Sequence, residues 1–287
     1  MITLAAGPLV AGFAPEAGMV CHSLRHEAEE LLTQRDGLEG YVRTGRWMGV
    51  PLLHPWANRL ADWSYEALGR PVDLRPLAGD VVVRDGQTGG PIHGVLPRAW
   101  VVAEKTATRV VAELSPAGGP AFPFPHRMRL EAALSPGALR IATTLEPLEG
   151  DVPVAFGFHP WITLPGVGRA AYEVELPPMR RLALDAHGVP SGETEPRPPL
   201  AGTVDEALDD GFDRVPDGAV FAVTGGGRRV EVRFESGYPC AQVFAPIGKD
   251  LICFEPMTAP ANALRTGSFP IATPQAPYTA VFSLSIA

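Results

Sequence analysis

Glycine and proline interrupt this chain too often for a helical fold. Each occurs 31 times in 287 residues, so few stretches are free to wind several helical turns. Proline lacks a backbone donor and clashes with the preceding turn, and glycine carries a high entropy cost in a helix. Between the breaks, the chain alternates with period two. Arg229-Val230-Glu231-Val232-Arg233-Phe234 alternates polar and apolar throughout, as does Tyr172-Glu173-Val174-Glu175-Leu176. Leu139-Arg140-Ile141-Ala142-Thr143 is a looser case. Residues 81–83, 110–114, 219–223 and 281–284 are short runs rich in β-branched or aromatic side chains. Gly225-Gly226-Gly227, between two such runs, reads as a hairpin turn. Many short strands with turns between them predict an all-β fold, a sandwich or barrel.

Two segments read differently. Residues 26–32, HEAEELL, have helical propensity, but the stretch is short and lacks a clear N-cap, which disfavours a full helix. Residues 188–203 are rich in proline, glycine and glutamate and are flanked by strand-like runs, so they read as a surface loop within one domain. No internal repeat is visible, and one domain over residues 1–287 is expected, because all-β folds often run past about 200 residues as one unit.

With 46% hydrophobic and 20% charged residues, the chain buries a core readily. Its net charge of −8 lacks the basic footprint of a nucleic-acid binder. Three widely spaced cysteines, Cys21, Cys240 and Cys253, give no disulfide framework. The first residues have no basic n-region, Pro8 and Pro15 interrupt them, and no run of about 18 apolar residues follows. No membrane partner and a cytoplasmic location are therefore expected.

Several motifs fail on context. Residues 166–171, GVGRAA, fit a loose dinucleotide fingerprint, but the strand-like run 172–176 follows where a helix must receive the phosphate. There is no Walker loop and no GxSxG elbow. His22 and His26 are spaced for zinc only on a helix, and no third ligand is near, so no metal is expected.

The chemistry-bearing candidates are ionisable residues isolated in apolar segments. Phe156-Gly157-Phe158-His159-Pro160-Trp161 sets His159 among aromatics. Leu251-Ile252-Cys253-Phe254-Glu255 ends a buried-looking strand on Glu255, and Pro91-Ile92-His93-Gly94 places His93 before a glycine. A carboxylate taken out of water costs several kcal/mol unless it is paired or functional. The same burial raises its pKa toward useful base strength. Asn58 and Arg59 are adjacent donors at the end of an apolar run, suited to a carboxylate, a phosphate or vicinal hydroxyls. Trp56, Trp63, Trp100 and Trp161 lie near these segments, and an aromatic face suits a sugar ring as well as a core.

With these segments in hand, the chain resembles the aldose 1-epimerase (mutarotase) family. The resemblance rests on PLLHPWANRL (51–60), PIHGVLPRAW (91–100), VAFGFHPW (154–161), LDDGF (208–212) and CFEPMTAPANAL (253–264), which occur in the family's order. The opening GMVCHSLRHEAEELL is similar to the family's first strands. The resemblance implies a large antiparallel β-sandwich of the galactose-mutarotase type, and interconversion of α and β anomers of an aldose with no cofactor. It implies Glu255 as the general base at the C1 hydroxyl, His159 as the general acid at the ring oxygen, and His93 as a group that holds a hydroxyl and polarises the reacting end. It further implies Asn58, Arg59 and Asp209 as binders of sugar hydroxyls, with Trp161 in place of an aromatic ring that is usually Tyr or Phe. His54 stands where an apolar aromatic is common, and Asp210 where a histidine often follows the matched acid. Two alternatives share the fold. A hexose-6-phosphate 1-epimerase needs clustered arginines, for which Arg59 and Arg98 are candidates, and a non-catalytic sugar-binding module needs no acid–base set. The oligomeric state is not legible in the sequence.

Overall fold

The structure, a computed structural model, describes residues 1–44 and 48–287. Two large antiparallel sheets dominate it. The nine-stranded sheet runs from Val101–Lys105 at one edge through Arg109–Leu114, His126–Ser135, Ala138–Pro147, Tyr278–Ile286, Arg228–Ser236, Ala219–Gly225 and Glu173–Leu176 to Leu200–Thr203. The eight-stranded sheet runs from Pro190–Arg197 through Met179–Leu184, Leu208–Asp213, Cys240–Ala245, Ile252–Met257 and Gly157–Phe158 to Leu52–Leu53, with Trp161–Ile162 also paired to Ile252–Met257. Aromatic rings from the two sheets meet between them. Phe221 and Phe254 lie with centroids 5.8 Å apart, and Phe158 and Phe282 4.9 Å apart. Each buried ring adds about 2 kcal/mol of apolar burial to this interface. The expected all-β sandwich is therefore the fold.

The period-two runs form strands because alternation gives each one a core face. In Arg228–Ser236, Val230, Val232 and Phe234 are buried while the intervening charges face outward. Gly226 and Gly227, with φ of 60° and 78°, close the hairpin that pairs Gly225 with Arg228. Two consecutive left-handed residues match the twist of the flanking strands.

The helical propensity of residues 26–32 is overridden. Val20–His26 pairs with Glu29–Glu30 through Glu27 and Ala28, whose φ are 50° and 71°, and Leu24, Leu31 and Leu32 enter the core. An alternative the period-two pattern did not anticipate is a helix at Gly37–Thr44.

The loop expected over 188–203 is corrected. It contains two strands, Pro190–Arg197 and Leu200–Thr203, each at the outer edge of a different large sheet. Edge position explains the misleading composition. An edge strand pairs on one side only, so it tolerates proline and polar side chains that a central strand rejects.

Ile252–Met257 is the opposite case, with every residue buried. Ile252 and Phe254 enter the inter-sheet core, while Cys253, Glu255 and Met257 face the other way. That outer face of the eight-stranded sheet carries the site. Among the described residues, no helix is long and apolar enough to cross a membrane.

Candidate active site

Cross-strand register sets two rows of side chains on this face. Asp209 pairs with Phe244, Phe244 with Cys253, and Cys253 with Trp161. In the next row, Gly211 pairs with Gln242 and Gln242 with Glu255. Side chains of directly opposed residues lie side by side on a sheet face. Alternation turns Asp209 toward the site, while Asp210 binds the Arg181 guanidinium at 2.7 Å.

The segment 58–60 and the short strand Pro91–Val95 supply the remaining wall. The His93 N–H donates to the Asn58 carbonyl at 2.9 Å, and the Leu60 N–H to that of Pro91 at 3.0 Å, zipping 58–60 against 91–93. The Asn58 N–H donates to His93 Nδ1 at 3.1 Å, so the neutral His93 ring carries its proton on Nε2. His93 and Gly94 both have positive φ, 59° and 79°. A Cβ on Gly94 would lie 2.2 Å from the His54 carbonyl oxygen, so only glycine permits this approach.

The result is a cleft of about 500 Å³. The structure brings all seven residues singled out from the sequence to it: Asn58, Arg59, His93, His159, Trp161, Asp209 and Glu255. At its centre, His159 Nε2 lies 3.2 Å from Glu255 Oε1. Burial, with the nearby Asp209, pushes the Glu255 carboxyl well above its ordinary value. Burial, with His93 and Arg35, holds the His159 imidazole well below its own. Glu255 Oε2 and His159 Nδ1 are buried without a hydrogen-bond partner among the described residues, so neither charge is offset there.

Arg59 is fixed by neighbours the sequence did not reveal. Its Nε donates to Asp85 at 2.7 Å and its Nη2 to Gln87 at 3.2 Å. Burial raises the Asp85 carboxyl, but bonds from Arg59, the Gln87 N–H and Thr88 outweigh it and leave the pKa below the ordinary value. Gln242 donates to Asp209 at 2.6 Å. Asp85, Gln87 and Gln242 were missed because their neighbours in sequence carry no distinguishing pattern; strand register places Gln242, and the segment after Val82–Arg84 brings Asp85 and Gln87 to Arg59.

Trp161 lines the cleft, but its indole is stacked on the His159 ring, 4.4 Å away and 5° from parallel, so it also holds the imidazole in place. Of the other tryptophans, Trp56 and Trp100 are core residues and Trp63 lies beneath Arg84. Arg98 is not at the cleft. Its guanidinium donates to the carbonyls of Pro116, Ala117 and Gly118, which removes it as a ligand-binding candidate. His54 bonds His126 instead, Nε2 to Nε2 at 2.8 Å.

The molecule is thus a β-sandwich whose outer sheet face presents a buried carboxyl–imidazole pair, with an amide and a guanidinium lining the same cleft. The sequence profile of the aldose 1-epimerase family matches residues 15–285, and the chain belongs to that family. No curated protein matches the sequence significantly. Solved structures share the fold. A galactose mutarotase-like protein from Clostridium acetobutylicum is 18% identical, with 99% of this chain and 94% of that one covered and a TM-score of 0.80. A galactose mutarotase related enzyme from Lactobacillus acidophilus is 15% identical over 100% and 97%, with a TM-score of 0.77. A GalM/aldose epimerase homologue from C. elegans is 16% identical over 100% and 98%, also at 0.77. Family and fold together support sugar epimerase or mutarotase activity.

Proposed function

We propose that the cleft interconverts the α and β anomers of an aldose by general acid–base ring opening and closure, using no cofactor. The observation that carries this reading is the 3.2 Å approach of His159 to Glu255 in a buried setting. Ring opening needs a proton removed from O1 and one delivered to the ring oxygen. Glu255 as carboxylate takes the O1 proton while His159 as imidazolium protonates the ring oxygen. The O1–H electron pair becomes the second C1–O1 bond, and the C1–ring-oxygen pair leaves to take up the proton. Rotation about C1–C2 and the reverse transfers close the ring on the other face.

The pair holds one proton throughout. It starts as carboxylate and imidazolium and passes through carboxylic acid and neutral imidazole. Burial favours that second, uncharged arrangement, so desolvation assists the opening step and substrate hydroxyls support the charged one. His93 offers its Nε2–H to the substrate, and Asn58, Arg59 and Asp209 hold its hydroxyls. Gln242 aligns Asp209, and Asp85 aligns Arg59.

Polarimetry of fresh α-anomers over a panel of hexoses and pentoses tests the proposal. At least one is expected to equilibrate faster with the protein, and Glu255→Gln to slow it roughly 10²–10⁴-fold with the fold intact. Full activity in that variant rejects the assignment, and sugar binding without acceleration makes the protein a binding module.

A further inference from the structure

His159 lacks the anchor that its neighbour has. The His93 ring is held at Nδ1 by the Asn58 N–H at 3.1 Å. His159 meets Glu255 through Nε2 at 3.2 Å, and its buried Nδ1 has no hydrogen-bond partner among the described residues. A histidine that transfers protons is ordinarily oriented by a hydrogen bond to its second nitrogen. Packed rings take over that task here. The Trp161 indole stacks on the imidazole at 4.4 Å and 5° from parallel. Phe244 meets both rings edge-on, 6.2 Å from His159 and 5.9 Å from Trp161. The indole N–H of Trp161 is itself buried without a partner among the described residues, so no hydrogen bond sets the plane of that ring either.

Trp161 is tied instead to the segment 31–37. The backbone there runs antiparallel to 161–163. The Thr163 N–H donates to the Leu31 carbonyl and the Thr33 N–H to that of Trp161, each at 2.9 Å, and Leu32 bridges to Ile162. The Gln34 side chain donates to the His22 and Leu32 carbonyls at 2.8 and 3.3 Å, and the Gly37 N–H donates to the Gln34 carbonyl at 2.7 Å. Between these anchors Arg35 takes a φ of 40°, a left-handed conformation uncommon for a residue with a side chain. Its guanidinium lies over the Trp161 ring, 4.9 Å from the centroid. A guanidinium is attracted to the electron-rich face of an indole. Arg35, Trp161 and His159 therefore form one contiguous series from an exposed side chain to the buried acid–base pair.

We propose that Arg35 is a positioning residue for proton transfer: acting through Trp161, it holds the His159 imidazole in the plane from which Nε2 faces Glu255. This role rests on the anomer-exchange reading above and adds to it a residue that works without touching the reacting atoms. The same cation, after burial and His93, opposes a positive charge on the imidazole. Both effects depend on a cation over the indole, so lysine preserves them and glutamine does not.

Proton NMR of the unliganded protein at neutral pH tests the geometry, because the indole shields the His159 ring protons stacked on it; His159→Asn assigns them. Arg35→Gln is expected to move these signals downfield, and Arg35→Lys to leave them near the parent position. In polarimetry, Arg35→Gln lowers kcat roughly two- to fivefold with KM unchanged, as an exposed cation–π contact supplies. Trp161→Leu lowers kcat up to about tenfold, and Trp161→Phe, which keeps an aromatic stack, retains most of it. The acid limb of kcat moves toward pH 6.5 in Arg35→Gln and returns in Arg35→Lys. Ring-proton signals unmoved in Arg35→Gln, signals displaced as far in Arg35→Lys, or a raised KM with kcat unchanged overturns the proposal; the last makes Arg35 a sugar ligand. Exchange of no sugar by the parent protein rejects the anomer-exchange reading instead. The NMR comparison then decides the positioning role alone: signals moved by glutamine and kept by lysine support it, and any other pattern overturns it.

Discussion

His159 Nε2 and Glu255 Oε1 are 3.2 Å apart, on side chains only 6% and 2% exposed. Such a pair titrates as a unit, and burial moves its two limits apart. In water, a glutamate of pKa 4.5 and a histidine of 6.5 hold one proton between them only from about pH 4.5 to 6.5. Here burial pushes the imidazole well below 6.5 and the carboxyl well above 4.5, so the pH span over which the pair holds one proton widens on both sides.

The pH dependence of kcat/KM follows. The acid limb, where the pair gains a second proton, lies well below pH 6.5. The alkaline limb, where the single proton is lost, is set by the raised Glu255. A bell with a wide top is expected. An alkaline decline centred at 6.5, the value of an ordinary imidazole, contradicts the pairing.

Asp85→Asn tests the anchoring of Arg59. The Arg59 and Asp85 side chains are 10% and 7% exposed, so removing one charge strands the other out of water. A loss of about 3 kcal/mol in urea unfolding is expected, together with a raised KM for sugar. Because the Asp85 pKa is lowered in the fold, its stabilisation is present above the unfolded value of 3.8 and is lost as acid protonates it. A variant equal to the parent in stability and KM shows that Asp85 does not hold Arg59.

Acid sensitivity of the fold provides a third check. His54, His93, His126 and His159 are all buried and held neutral, His93 down to about 3 and His126 to about 4, chiefly by burial. Unfolding releases bases that take up protons, so stability is full above pH 6.5 and falls as the pH drops below it. The slope approaches about 1.4 kcal/mol per pH unit for each histidine. In the His54–His126 pair, His126 Nδ1–H donates to the Phe124 carbonyl at 2.7 Å, so its Nε2 accepts from His54. The double variant His54→Phe/His126→Leu should flatten the decline between pH 6.5 and 4. An unchanged slope rules out this source.

Gly94→Ala probes the wall that carries His93. Its φ of 79° and the 2.2 Å approach of a Cβ to the His54 carbonyl both oppose any side chain. A loss of about 2 kcal/mol or more is expected, with lowered activity as His93 shifts. Wild-type thermal stability and activity in this variant refute that role.

Much of this was legible in the residues themselves. Alternation in 228–236 fixed which side chains face the core, and Gly226-Gly227 fixed a hairpin, because both are local consequences of backbone sterics. Glu255 stood out because a carboxylate in an apolar run is costly anywhere, and glycine and proline proved to flank the site, at Gly94, Gly157, Pro160 and Pro256. The structure alone decided what touches what. Glu255 and His159 meet only because Ile252–Met257 pairs with Gly157–Phe158 and Trp161–Ile162 on either side of the intervening bend. Asp85 under Arg59, Gln242 beside Glu255, Trp161 against His159 and Arg98 bound elsewhere all depend on contacts between distant segments. Local pattern sets which face a side chain takes; strand register and sheet order, chosen by packing of the whole core, set its neighbours.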